Sequence, residues 1–214
     1  AGTAPAYVVV THPHADHVAG LGVIRKRYPS IRVLAGEGAS AFLSRPRIAE
    51  AILAEERHMA SCLAAQGYSG GTAPGEPPSL ADATVCRDGE AVDLGGITLR
   101  FFAVAGHAPG NLAVFVPETG TLLASDSLGF RYRSGGVFPL FFTGFSSYLR
   151  TLAVLESLRP ERLGLGHTGW IEGAGVGEAF AQARAAAADL RQRLRRDPRD
   201  AAAAAAGICA EFYR

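Results

Sequence analysis

The chain has 214 residues, 48% hydrophobic and 19% charged, the proportions of an ordinary globular protein long enough for one good core. Lys and Arg number 21 against 20 Asp and Glu, so no excess positive charge is available to neutralise phosphates, which disfavours a nucleic-acid enzyme and points to a small-molecule substrate. No apolar run approaches the ~20 residues a membrane span needs, and Cys62, Cys86 and Cys209 form no CxxC pair, which argues against a disulfide framework and for a reducing, cytoplasmic setting.

Ala6 to Val10 reads as a short buried strand, β-branched and bounded by Pro5. His17 to Arg27 reads as a helix ending near Tyr28-Pro29, and Ile31 to Leu34 as a second strand. From Ala39 to Gln66 the pattern is helical, interrupted by Pro46, with Ile48, Ile52, Leu53 and Met59 at helical spacing. Gly67 to Pro78 is a Gly- and Pro-rich loop. A β-rich stretch follows: Thr84 to Cys86, Ala91 to Leu94, Ile97 to Ala103, Leu112 to Val116 and Thr121 to Ala124, with turn signals at Gly95-Gly96 and Pro117 to Gly120. Phe130 to Phe145 is irregular and aromatic. Tyr148 to Leu158 reads as a helix, Arg162 to Leu165 as a strand and Ala179 to Arg196 as a long helix. Pro198 opens a final helix whose run Ala201 to Ala206 reflects helix propensity, not a functional repeat.

Chemistry concentrates directly after the first strand, in Thr11-His12-Pro13-His14-Ala15-Asp16-His17. In an extended loop residues two apart point the same way, so His12 and His14 can converge on one ion. Asp16 and His17, where the chain turns into a helix, can face a second. Neutral imidazole and carboxylate suit Zn²⁺ and other first-row divalent ions. A catalytic metal needs about three protein ligands and an open position, so two metals need more ligands than this segment offers. His107, Asp126 and His167 are further candidates, each just past an expected strand and flanked by small residues. One histidine past a strand is more often a turn or surface residue; three imidazoles and a carboxylate crowded at a strand end have little structural benefit without a metal.

The order HxHxDH, GHxPG, an Asp after an apolar strand, then GHxG, running from about Tyr7 to Trp170, resembles the metallo-β-lactamase superfamily. The resemblance implies an α/β fold, an αββα sandwich with the site at one edge of its two sheets. It implies one metal on His12, His14 and His107, a second on Asp16, His17 and His167, and Asp126 bridging them. The ions would be two divalent cations, zinc first, with iron or manganese as alternatives. A hydroxide bridging the two ions would attack a carbonyl, and Asp16 would serve as a catalytic proton shuttle or purely as a ligand.

Two departures from the family pattern matter. Only ten residues precede Thr11, where relatives carry further strands, so a single domain over 1–214 is expected to be N-terminally incomplete. Ninety residues separate His17 from His107, room for a helical insert at 39–66 that would cap the site. The aromatics of Phe130 to Phe145 would line an apolar pocket, form a homodimer contact or fill core, and Arg131 and Arg133 would meet a substrate carboxylate or solvent. His58 is expected at the surface and the cysteines as small buried apolar residues. The implied function is hydrolysis of a small ester, thioester or lactone, as in glyoxalase-II-like and lactonase-like members. The competing readings are a mononuclear iron sulfur dioxygenase on His12, His107 and Asp126, and an inactive metal-binding module.

Overall fold

The computed structural model of the chain describes residues 4–69, 75–132 and 136–196. The Pro198 helix with its alanine run, Arg133, Cys209 and the middle of the Gly- and Pro-rich loop lie outside the described residues.

The first sheet is built from β-α-β units. Strand β1 (Tyr7–Val10) leads through α1 (Ala15–Val18) and α2 (Leu21–Arg27) to β2 (Arg32–Gly36). That strand continues through α3 (Ala39–Leu43) and α4 (Pro46–Ala65) to β3 (Thr84–Cys86). The three strands pair in parallel, in the order β1-β2-β3, and parallel neighbours require such crossovers. The second sheet starts as an antiparallel meander of β4 (Ala91–Asp93), β5 (Thr98–Ala103), β6 (Leu112–Val116) and β7 (Thr121–Ser125). A small ribbon, β8 (Phe130–Arg131) with β9 (Val137–Phe138), follows, and α5 (Phe145–Ser157) carries the chain to β10 (Arg162–Leu165), parallel to β7. Strand β11 (Gly169–Glu172) closes the edge, giving the order β11-β10-β7-β6-β5-β4, and α6 (Ala174–Arg196) ends the described chain.

Strand alternation sorts the side chains into three apolar layers. In β2, Val33 and Ala35 face a cluster with Val18, Leu21, Leu43 and Ile52 of the helices α1 to α4. Leu34, between them, faces the opposite way, toward Phe101, Leu112 and Val114 of the second sheet. In β6 and β7, Ala113, Leu122 and Ala124 turn to an outer cluster with Leu152, Leu155 and Phe180 of α5 and α6. Both faces of both sheets are therefore covered, and the layers read α, β, β, α. Because side chains alternate between two covered faces, the central strands read as continuously apolar rather than amphipathic. The expected αββα architecture is the one observed.

Several boundaries differ from the expectation. The helix expected over His17 to Arg27 is two helices, with a turn at Ala19-Gly20. The first of them begins at the site, and Val18 and Leu21 both reach the core, 1% and 3% exposed. Strand β11 carried no periodic signal; it is four residues long, exposes Trp170 and is defined by pairing with β10. Helix α6 begins at Ala174, five residues before the expected start, because buried Val176 and Ala179 anchor a turn that Gly175 and Gly177 disguise by their poor propensity. Helix α5 likewise begins at Phe145, which packs against the outer cluster. Met59 is 54% exposed rather than packed. The buried residues of α4 end at Glu56, so one turn further on the helix has run past its support. Cys86 is buried as expected, Cys62 is only partly buried, and His58 is exposed.

Candidate metal centre

The expected site residues lie in the segments that follow strands, with Asp16 and His17 on α1. Two residues past β1 stands His12; Asp126 directly follows β7, and His167 is two residues past β10. His107 sits in the loop between β5 and β6. A backbone hydrogen bond from Leu112 N to Thr11 O, 2.7 Å, ties the two sheets together beside the cluster. Hydrophobic layering thus brings to one edge residues separated by more than a hundred positions.

The geometry centres on Asp126. Its Oδ2 lies 3.3 Å from His167 Nε2, 3.5 Å from His17 Nε2, 3.6 Å from His107 Nε2 and 3.8 Å from His12 Nε2. Asp16 Oδ2 is 3.3 Å from both His17 Nε2 and His167 Nε2. His12 and His107 bring their Nε2 atoms within 3.2 Å of each other. His107 Nδ1–H donates to Leu140 O, 3.1 Å, so its other nitrogen keeps a lone pair facing the cluster. The His14 ring lies 4.6 Å from the rings of His12 and His107. Three sets have one potential ligand atom from each member within 4.8 Å of one another: His12, His14 and His107; His12, His17 and Asp126; Asp16, His17 and His167. All seven residues singled out in the sequence are brought together.

Electrostatics divide the cluster into two halves. Burial, reinforced by neighbouring histidines, pushes His12 down to about 2 and His107 down to about 4, and burial also lowers His14. These imidazoles are neutral, with lone pairs free. Burial works against a charge on His17 too, but hydrogen bonds with Asp126 and Asp16 outweigh it and raise the group to about 9. Asp16 is held down at about 2, chiefly by His17, and Asp126 is lowered by the same imidazolium despite its burial. A proton on His17 is therefore the positive charge that holds two carboxylates together. A carboxylate-rich pocket with neutral imidazoles beside it is a donor set of the kind that holds divalent cations.

Residues that sequence reasoning passed over hold this geometry. Ser125 adopts φ 49°, ψ −127°, strained for a residue with a Cβ, and its Oγ hydrogen-bonds Thr11 Oγ1 at 2.9 Å. Serine at a strand end gives no sequence signal for such a role. Gly106, at φ 111°, lies so close to α5 that a Cβ there would meet the Tyr148 backbone at 2.7 Å. Gly166 admits Asp126: a Cβ there would sit 2.1 Å from Asp126 Oδ1. The glycines flanking both histidine motifs were the legible part of this signal.

The aromatic segment divides three ways. Phe141 and Phe145 pack against the outer core cluster. Phe130 lies 5.5 Å from the His167 ring, and Phe142, 67% exposed, stands 5.4 Å from His107 and 6.1 Å from His14. A cleft of about 340 Å³ runs from His14 and Asp16 past Phe142 to Phe42, Ile48 and Glu55.

An αββα sandwich with a histidine and aspartate cluster at the joint edge of its sheets defines a metal-binding class of protein. Residues 2–167 match the family model of the metallo-beta-lactamase superfamily, and the chain belongs to that superfamily. Among solved structures it resembles ST1585 from Sulfolobus tokodaii, a metallo-beta-lactamase superfamily protein, at TM-score 0.60 and 23% identity over 88% of this chain and 67% of that one. A family protein from Thermus thermophilus, TTHA1429, aligns at TM-score 0.58 and 26% identity over 88% of this chain and 62% of that one. TTHA1623, solved in a di-iron-bound form, aligns at TM-score 0.54 and 21% identity over 78% and 72%. The chain thus spans between 62% and 72% of the length of these relatives. No curated protein matches the chain.

Proposed function

We propose that the chain is a metal-dependent hydrolase of a small ester, thioester or lactone, of the glyoxalase-II-like or lactonase-like kind. The observation that carries this reading is the convergence of four imidazole nitrogens on one carboxylate oxygen, Asp126 Oδ2, within 3.3–3.8 Å. Four imidazole nitrogens around one carboxylate oxygen exceed what hydrogen bonding requires, and His107 Nε2, whose ring carries its proton on Nδ1, faces that oxygen with a lone pair. The residues fit two divalent ions: His12, His14 and His107 would hold one, Asp16, His17 and His167 the other, with Asp126 shared. Zinc suits the nitrogen and oxygen donors, and the di-iron form of TTHA1623 supports iron as the next candidate.

Bound cations would supply Lewis acidity for a carbonyl oxygen and a water acidic enough to act near neutral pH. The chain's own residues do the rest. Burial keeps His12 and His107 neutral, and the Leu140 carbonyl fixes the His107 tautomer. Asp16, whose side chain is 49% exposed at the mouth of the α4 cleft and ionised, would take up the proton released by the attacking water and pass it to the departing group. Helix α4 forms one wall of that cleft, which supports its role as a cap. The even charge balance favours a small substrate over nucleic acid. Free Cys62 and Cys86 fit a reducing cytoplasm, and among the described residues no helix is long and apolar enough to cross a membrane.

The test is elemental analysis of unsupplemented protein beside an Asp126→Ala variant, followed by an ester, thioester and lactone screen. About two ions per chain, lost with Asp126 together with hydrolysis, is expected. A single iron with oxygen uptake would replace this reading by the dioxygenase. Full activity in the Asp126 variant would refute it.

A further inference from the structure

Beside the candidate metal centre, at His167, lies a second cleft of about 300 Å³ lined by Arg131, Tyr132, His167, Thr168 and Ile171. Arg131 brings a guanidinium to this cleft, and its Nη1 is buried with no hydrogen-bond partner among the described residues. A buried guanidinium nitrogen without an acceptor is costly, because it has surrendered water and gained nothing in exchange. The backbone of Arg131 is held by strand pairing. It is paired with Val137 in the β8-β9 ribbon, and the ribbon is pressed against the chain at Gly129, where a Cβ would lie 2.5 Å from Phe138 O. Phe130, the preceding residue, rests against the His167 ring. The guanidinium is therefore held by the same short ribbon that touches the cluster.

The two clefts flanking the cluster differ in sign. The α4 side carries Glu55 and Asp16 among the apolar Phe42, Ile48 and Phe142, and Glu55 acts electrostatically on His14. The β8 side carries Arg131. A substrate anion is repelled from the first and attracted to the second, and a planar carboxylate is the partner a guanidinium fork fits best. Asp16, the candidate proton shuttle, borders the α4 cleft, which would put the leaving group there and the acyl portion toward Arg131.

We infer that Arg131 is a specificity residue that binds a carboxylate at the far end of the substrate's acyl chain, so that the substrates are esters or thioesters of dicarboxylic acids with an uncharged, apolar leaving group. This rests on the hydrolase reading of the site. A charge-assisted hydrogen bond of this kind contributes a preference of about 10- to 100-fold.

Mono-4-nitrophenyl adipate and suberate are compared with 4-nitrophenyl hexanoate and octanoate, chains of equal length that end in a methyl group. The wild-type metal-loaded protein is expected to favour the carboxylate ester of at least one pair by 10-fold or more in kcat/KM. Arg131→Gln should bring that ratio toward one, and Arg131→Lys should restore part of it, provided both variants keep the wild-type melting temperature and metal content. A wild-type ratio near one in both pairs, or a ratio that survives in Arg131→Gln, overturns the inference. If no ester is hydrolysed, the hydrolase reading fails and calorimetry decides the inference separately. Adipate or suberate binding at least 10-fold tighter than hexanoate or octanoate, with the difference lost in Arg131→Gln, would uphold the carboxylate site; equal affinities would end it.

Discussion

Replacing Gly166 with alanine tests the geometry of the cluster without any assumption about substrate. The added methyl group would lie 2.1 Å from Asp126 Oδ1 and 3.4 Å from His17 Cε1. Real Cβ contacts are essentially never under 3.0 Å, so the carboxylate or β10 must move by at least about 0.9 Å, the gap between 2.1 and 3.0 Å. Metal–ligand distances tolerate only about 0.2 Å. Asp126 cannot retreat freely, because its Oδ2 faces four imidazoles within 3.8 Å and it is 3% exposed. We expect Gly166→Ala to weaken metal binding by at least about 10- to 100-fold, the range typical when a ligand's support is lost. Overpacking should also cost the metal-free fold about 1–3 kcal/mol. Competition against a coloured chelator measures the first and urea unfolding the second. Gly177→Ala is the control: it lies on α6 with nothing within 4 Å of the new Cβ, and should gain about 0.5–1 kcal/mol from helix propensity. Wild-type metal affinity in Gly166→Ala would show that the carboxylate is not where the reasoning puts it.

Three further outcomes follow from the same geometry. His17, raised from 6.5 to about 9 in the metal-free fold, contributes stability that is fully present below pH 6.5 and lost as pH rises through about 9; the urea midpoint should fall across that window, and the fall should vanish in His17→Gln. Zinc added at pH 7.5 must displace that proton, so a pH indicator should register release of about one proton per chain, and no release would mean His17 is neutral or not a ligand. Ser125→Ala keeps the strained backbone and loses the bond to Thr11, for a cost of about 1 kcal/mol, whereas Ser125→Gly relieves a strain of about 1–3 kcal/mol and should be the more stable of the two; equal stabilities would refute the strain. Leu163→Ala, at a fully buried position between β10 and the outer helices, should cost about 2–5 kcal/mol in the same assay.

The seven residues of the cluster were legible because the chemistry is written compactly: imidazoles and carboxylates just past apolar strands, with glycines beside two of them. Layer order was legible for a related reason, since strands with both faces covered appear as the short apolar runs of β1, β6 and β7. Elements defined by partners rather than by pattern were not legible. The edge strand β11 exists because β10 offers it hydrogen bonds, and the first turn of α6 exists because Val176 and Ala179 are buried. Nor does a sequence reveal the strain at Ser125 or the burial of the Arg131 guanidinium nitrogen, because both depend on what approaches from elsewhere in the chain.

The distribution of rigidity in the site follows from these causes. Each ligand candidate sits within a few residues of a strand or on the short helix α1 that follows β1, so the sheets anchor the segments that carry them. Where backbones come closest, at Gly106 against α5 and at Gly166 against Asp126, side chains are excluded and nothing can give way. The metal-free cluster holds together through a proton on His17 shared between Asp16 and Asp126. A divalent cation entering this site would replace that proton with a larger charge at nearly the same place, so little structural rearrangement should accompany binding. The pKa of His17 then sets the range over which metal affinity rises with pH: below about 9 each unit should strengthen binding up to about tenfold, the limit for displacement of one proton.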